Sequence, residues 1–265
     1  MSRIVPGHST RLRMAVAALI LLAPLAVDAQ RGGSGAAVAP RQAAPVDLTG
    51  YWVSIVTEDW RFRMLTPARG DYESVPINAE ARRVADAWDP ARDQAAGEEC
   101  RWYGAASIMS VPGRLHITWE SDDTLRVETD AGRQTRHFRF ARAGDQVGAR
   151  GGAPSDGEVT WQGESTAAWR ASPGGIEPGS LPGGSLEVHT TKLRPGYLRR
   201  NGVPYSAETE LTEFYYVLED ADVTWLIVIT VVEDPQYLTQ PFVTSRQFMK
   251  QADAAGWNPT ACSAR

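Results

Sequence analysis

The chain has 265 residues, a formal charge of −5 at pH 7, 43 % hydrophobic residues and nine tryptophans. That is enough apolar side chain for one sizeable core, and the length suits one domain or two small ones. Acidic and basic residues are interspersed, so there is no basic footprint for nucleic acid or an anionic membrane, and that partner class is excluded.

Arg11 and Arg13 precede an apolar run, Met14 to Val27, and Val27-Asp28-Ala29 puts a small residue before a cleavage point. The run is interrupted by Pro24 and short for a spanning helix. Residues 1–29 therefore read as an export signal, with an uncleaved anchor as the alternative. No cysteine follows the run, which argues against a lipoprotein anchor. Cleavage after Ala29 removes Arg3, Arg11, Arg13 and Asp28 and takes the charge from −5 to −7. Trp225 to Val232 is apolar but too short to cross a bilayer, so no membrane span is expected after cleavage and the mature chain reads as periplasmic or secreted.

Residues 30–46 are Gly/Ala/Pro-rich without periodicity and read as a disordered leader, with residues 47–265 as one domain. A first strand is expected around Trp52, with Trp60 to Leu65 continuing the strand context. Asn78 to Trp88 is the one convincing helix: Asn78 is a good N-cap and Asp89-Pro90 a stop. Polar, irregular chain then runs to Cys100, an insertion of the kind that lies across a barrel mouth or its flank. In an oxidising compartment Cys100 and Cys262 favour a disulfide tying the C-terminus to the middle of the chain; two free buried thiols is the alternative.

From Arg114 to Phe140 three runs alternate apolar and polar residues, with turn chemistry at Ser121-Asp122-Asp123 and Asp130-Ala131-Gly132. This is the pattern of an antiparallel meander. A turn centred on Asp123 sets Trp119 opposite Val127, Ile117 opposite Thr129 and His116 opposite Asp130. Leu115, Ile117, Trp119, Leu125 and Val127 then share one face, and a one-residue slip would mix the faces. Continuing through Ala131-Gly132 puts Thr135, His137 and Arg139 on the polar face with Phe138 and Phe140 on the other. Further strands are expected within 159–170, 185–193, 211–219, 223–232 (the most β-branched run) and 242–250. About nine or ten strands with one helix and long loops predict an all-β protein, a closed antiparallel barrel.

Gly50-x-Trp52 at the first strand resembles the opening motif of lipocalins, where a Trp packs across one end of an eight-stranded barrel. With Glu99-Cys100, Tyr103-Gly104, Thr129-Asp130-Ala131-Gly132, Trp161-Gln162-Gly163, Gly202-x-Pro204-Tyr205-Ser206 and Asp234-Pro235-x-Tyr237, the chain resembles uncharacterised exported bacterial proteins of lipocalin-like β-barrel type. The resemblance implies the fold and export, and transfers no catalytic residue.

His116, His137 and His189 each fall in an expected strand. Three histidines on one barrel lining would suit Zn²⁺, but the spacing is no local zinc motif, and a solvated strand face is the plainer reading. Between these lies a pocket with His137 or His189 as general base, oriented by Asp130 or Glu213. Arg136 falls on the apolar face, so it is either near a strand end or buried with a partner, for which Glu213 is the candidate. With Tyr215, that pair would either orient a ligand or close the barrel structurally. Gly163-Glu164-Ser165 only loosely mimics a nucleophile elbow in β surroundings. Trp60, Trp119 and Trp225, with Arg136 and Tyr215, are the expected lining of an aromatic cavity, against a solid core. No cofactor or metal is expected. The leading function is binding of a small hydrophobic molecule. The alternatives are a barrel enzyme doing acid–base chemistry (isomerase, cyclase or hydratase) on such a molecule, and a structural envelope protein.

Overall fold

Among the described residues eleven strands follow one another: β1 (Gly50–Ile55), β2 (Arg114–Trp119), β3 (Thr124–Thr129), β4 (Thr135–Phe140), β5 (Glu164–Ser172), β6 (Gly183–Thr191), β7 (Gly196–Arg199), β8 (Val203–Tyr205), β9 (Glu210–Asp220), β10 (Val223–Glu233) and β11 (Phe242–Gln251). The computed structural model describes residues 38–141, 158–172 and 183–264, so the expected export signal and the first part of the leader lie outside the described residues. Nine strands close a barrel in the order β1-β11-β10-β9-β6-β5-β4-β3-β2, and β7-β8 form a separate hairpin. The all-β barrel expected from the sequence is the fold. It departs from a purely antiparallel barrel at one place, where β4 and β5 run parallel. The reason is topological: strands alternating in direction cannot close in an odd number without one parallel contact.

Alternation decides what fills the interior. Leu115 and Ile117 of β2, Leu125 and Val127 of β3, Phe138 of β4, Leu186 and Val188 of β6, Leu226 and Val228 of β10 and Phe248 of β11 are all buried in one cluster, with Trp52 at zero exposure. The meander faces are as expected, but the β2–β3 register differs by two residues, pairing Trp119 with Leu125 and Ile117 with Val127. The first turn closes tighter because Thr124 O accepts from both Glu120 N and Ser121 N. A two-residue shift preserves parity, so no side chain changes face, but His116 lands opposite Glu128 rather than Asp130. At the second turn, Glu128 pairs with Thr135 as the Ala131-Gly132 turn requires. Gly132 sits there at φ +75°, and a Cβ on it would lie 2.3 Å from the Tyr103 ring. Gly132→Ala is accordingly expected to cost about 1–3 kcal/mol from overpacking alone, read as a lowered urea midpoint.

The insertions that follow β1, β6 and β10 leave from one end of the barrel. Three short helices lie there, α1 (Trp60–Met64), α2 (Ala79–Asp86) and α3 (Pro90–Ala95), with 3₁₀ turns at Glu99–Tyr103 and Ile108–Ser110. Trp60 to Leu65 is thus helical rather than a strand. Asn78 caps α2 as expected, its side chain accepting from Ala81 N at 2.9 Å. Pro90 stops α2 and starts α3: it needs no N–H donor at a first helical position, and Asp89 accepts from Ala91 N at 3.0 Å. Ile77, Ala81 and Ala85 pack with Leu198, Val203 and Tyr205 of the hairpin and with Leu211 and Val232 at the strand ends, while Trp102, Ile108 and Met109 join the barrel cluster. The insertion is a lid over that mouth. Cys100 and Cys262 form the disulfide, with Cα atoms 5.1 Å apart.

The leader is corrected from residue 38 onward. At the opposite end of the barrel, Pro40 O accepts from Trp169 Nε1 at 2.8 Å, Arg41 N donates to Asp122 O at 3.0 Å, and Val46 packs on the core. Trp169 needs an acceptor and an apolar cover, and the leader supplies both.

Candidate functional site

The strand β10 reads VTWLIVITVVE, apolar on both of its faces. Such runs belong to strands buried on both sides. Leu226, Val228 and Val232 do face the core, whereas Trp225, Ile227, Ile229 and Val231 point outward and keep partial exposure. Their outward neighbours across the ladders are Phe214, Tyr216 and Leu218 on β9 and Val243 and Met249 on β11, with Val53 and Ile55 on β1 beyond. Tyr216, Leu218 and Val243 are exposed, the last two by more than half (52 % and 57 %), so this wall is an apolar patch in contact with water. Within it lies a cleft of about 300 Å³ bounded by Ile55, Thr57, Leu218, Trp225, Ile227 and Gln247. A polar corner is fixed by Gln247, whose Nε2 donates to Glu58 at 2.6 Å. Both the patch and the concavity are of the kind that marks a binding surface.

Comparison with protein-family models, curated proteins and solved structures finds no match to this chain. Geometry alone bears on function.

Of the expected lining residues only Trp225 borders the cleft. Trp60 stands 58 % exposed on α1 and does not line it. Trp119 is at the leader end, its ring 5.6 Å from Phe140 and 6.4 Å from Trp169. Arg136 and Tyr215 are inside the barrel. Arg136 donates to both carboxylate oxygens of Glu213, at 2.9 and 2.5 Å, and to Thr190 Oγ1 at 3.2 Å, while Tyr215 Oη donates to Glu213 at 3.2 Å. Both side chains of the ion pair have zero exposure. Burial pushes the Tyr215 phenol well above its ordinary range. Burial also works against the charged Arg136, but Glu213 and Tyr215 together more than offset it and the guanidinium is held above its usual value. With no exposed atom in the pair, it bridges β4 and β9 across the barrel interior.

The acid–base constellation is not assembled. His137 lies between inward Arg136 and Phe138, so alternation turns it outward, where its ring contacts Glu120 at 2.8 Å. His189, between inward Val188 and Thr190, faces outward near Thr212 and Glu210. Glu213 is therefore on the other side of the barrel wall from both. Asp130 is tied to its turn, its Oδ1 accepting from Arg114 N at 2.6 Å and Ala131 N at 2.7 Å. His116 stacks flat on Tyr51 at 4.1 Å. Among the described residues no group of three or more His, Cys, Asp or Glu is arranged to hold a metal ion.

The sequence reading missed Ile55, Leu218, Ile227 and Gln247. The unbroken apolar run of β10 was the signal that could have found them. It also missed the Asp93–Tyr197–Arg101 network beneath the lid, in which Tyr197 donates to Asp93 and accepts from Arg101 at 3.0 Å, and burial pushes the phenol up to about 12.

Proposed function

We propose that this protein is an exported carrier of a small apolar molecule, held against Trp225 and Ile227 on the outside of the barrel rather than in its lumen. The observation that carries this reading is the cleft of about 300 Å³ on the apolar wall, at the lower end of ordinary ligand-site volumes. It contrasts with a lumen filled by Phe138, Tyr215, Phe248 and their neighbours. Export is supported by the apolar run after Arg11 and Arg13 and by the disulfide, which persists in oxidising compartments; among the described residues no helix is long and apolar enough to cross a membrane. An enzyme reading lacks the expected pairing of His137 or His189 with Asp130 or Glu213, since His137 meets Glu120 and His189 lies near Thr212 and Glu210.

The test is titration of the protein with N-phenyl-1-naphthylamine, a neutral apolar probe. Saturable fluorescence enhancement with quenching of tryptophan emission is expected at one probe per chain. Trp225→Ala removes the main wall of the cleft and should weaken binding at least roughly tenfold, the equivalent of about 1.4 kcal/mol. Unchanged binding in that variant would sink the proposal. So would sedimentation showing a concentration-dependent dimer that excludes the probe, since the wall would then be covered by a second copy.

A further inference from the structure

Three arginines from distant parts of the chain converge under the lid. Arg63 of α1, Arg199 of β7 and Arg246 of β11 are 1 %, 5 % and 4 % exposed, and they line one small cleft with Asp59, Phe62 and Trp102. Few of them bond a carboxylate directly, although Arg63 and Arg199 both feel the charge of Asp59. Arg63 donates only to neutral acceptors, Ser110 O at 3.0 Å, Ile55 O at 3.2 Å and Ser54 Oγ at 2.6 Å. Arg199 donates to Glu73 O and lays its guanidinium 3.7 Å from the centre of the Phe62 ring. Asp71, whose charge Arg199 also feels, is taken by Arg61 at 2.8 Å. Only Arg246 has a bonded counter-ion, Asp59 at 3.0 Å, with the half-exposed Glu58 at 4.0 Å. Among the described residues, three guanidiniums thus share one bonded carboxylate. Buried charge without a counter-ion is costly. Burial first, and then the neighbouring Arg246, push Arg63 down to about 10, and burial does the same to Arg199.

Asp59 adds a second indication. It holds a left-handed conformation, φ 51° and ψ 27°, ahead of α1, and its side chain makes no cap there. It turns instead to Arg246. Non-glycine residues held in such conformations cluster at functional sites. Its carboxylate is 38 % exposed, so this side of the cleft reaches water. The space inside is about 20 Å³, against roughly 10–15 Å³ needed for one water. It has room for about one water-sized atom, the leading oxygen of a group and no more.

We infer that the cleft between Arg63, Arg199 and Arg246 is a binding site for a single oxyanion group, a carboxylate or phosphate, whose remaining atoms project past Asp59. Guanidiniums recognise such groups through paired N–H donors. No residue lines both this cleft and the Trp225 cleft, so the two sites stand or fall separately.

The experiment is thermal unfolding and calorimetric titration of the disulfide-bonded protein with sodium phosphate and with sodium acetate, each against sodium chloride at equal ionic strength. One or both oxyanions should raise the melting temperature beyond the chloride control. Phosphate alone doing so identifies a tetrahedral group, acetate alone a carboxylate. Arg199→Met keeps an alkyl stem over Phe62, and should weaken the oxyanion at least roughly tenfold, as loss of one charge-assisted contact does. Asp59→Asn, which a left-handed position tolerates, removes the competing carboxylate and should tighten binding. That opposite sign keeps the site testable even if Arg199→Met fails to fold. Melting temperatures indistinguishable from chloride for both anions, or an Asp59→Asn variant that binds no tighter than the parent, would overturn the assignment.

Discussion

Glu213→Ala should be among the most damaging single substitutions in the barrel, lowering stability by about 3–5 kcal/mol in urea unfolding. The carboxylate it removes takes two bonds from Arg136 and one from Tyr215, all fully buried. Arg136 cannot discharge and cannot reach water through Phe138, whose ring centre lies 4.8 Å from its Cζ. The penalty is therefore that of an uncompensated charge, not the loss of three ordinary hydrogen bonds. Replacing both partners separates the two. Arg136→Met with Glu213→Leu leaves no buried charge, and buried ion pairs exchanged for apolar residues of similar volume are often neutral or stabilising. The double variant should recover most of the lost stability, giving a coupling energy of several kcal/mol in the double-mutant cycle. A double variant as unstable as Glu213→Ala would mean that the polar network, rather than its charge balance, holds β4, β6 and β9 together.

Loss of the disulfide is expected to be comparable. Cys100 and Cys262 are 162 positions apart in sequence, and in the chain-entropy treatment a crosslink over so long a loop disfavours the unfolded state by about 5 kcal/mol. Cys100→Ser with Cys262→Ser should therefore show a large fall in melting temperature, and the parent should fall by the same amount in reductant. The bond also has a local task. It fastens the C-terminal tail to the 3₁₀ turn carrying Trp102, which packs into the barrel cluster and borders the arginine cleft. Equal melting temperatures with and without reductant, once reduction is verified by thiol titration, would refute this.

The meander from Arg114 to Phe140 was legible because a strand's two faces are written in consecutive residues. Parity survives an error of two positions, so Leu115, Ile117, Leu125 and Val127 share the one face expected of them although the expected register is not the observed one. The same parity turned His116, His137 and His189 outward once the walls were known, and the sequence could not say which face of each strand was the interior. The helices at Trp60 and Pro90 were not legible. One turn of helix has too little periodicity to read, and a proline serves equally to stop one helix and to start the next.

By itself the sequence determined the local terms: the alternation of an all-β protein, the cap at Asn78, the turn at Ala131-Gly132, and an arginine at position 136 that had to be paired if buried. Each rests on neighbours in the chain or on the chemistry of a single side chain. Tertiary structure alone decided what distant residues do together. It closed nine strands with one parallel contact, set Glu213 beside Arg136 in a sealed interior, left the outer face of β10 uncovered, and brought Arg63, Arg199 and Arg246 into one cleft. The physical reason is that charge balance and concavity depend on separations in space. Between residues as far apart in the chain as Arg136 and Glu213, 77 positions, those separations are fixed only when the barrel closes.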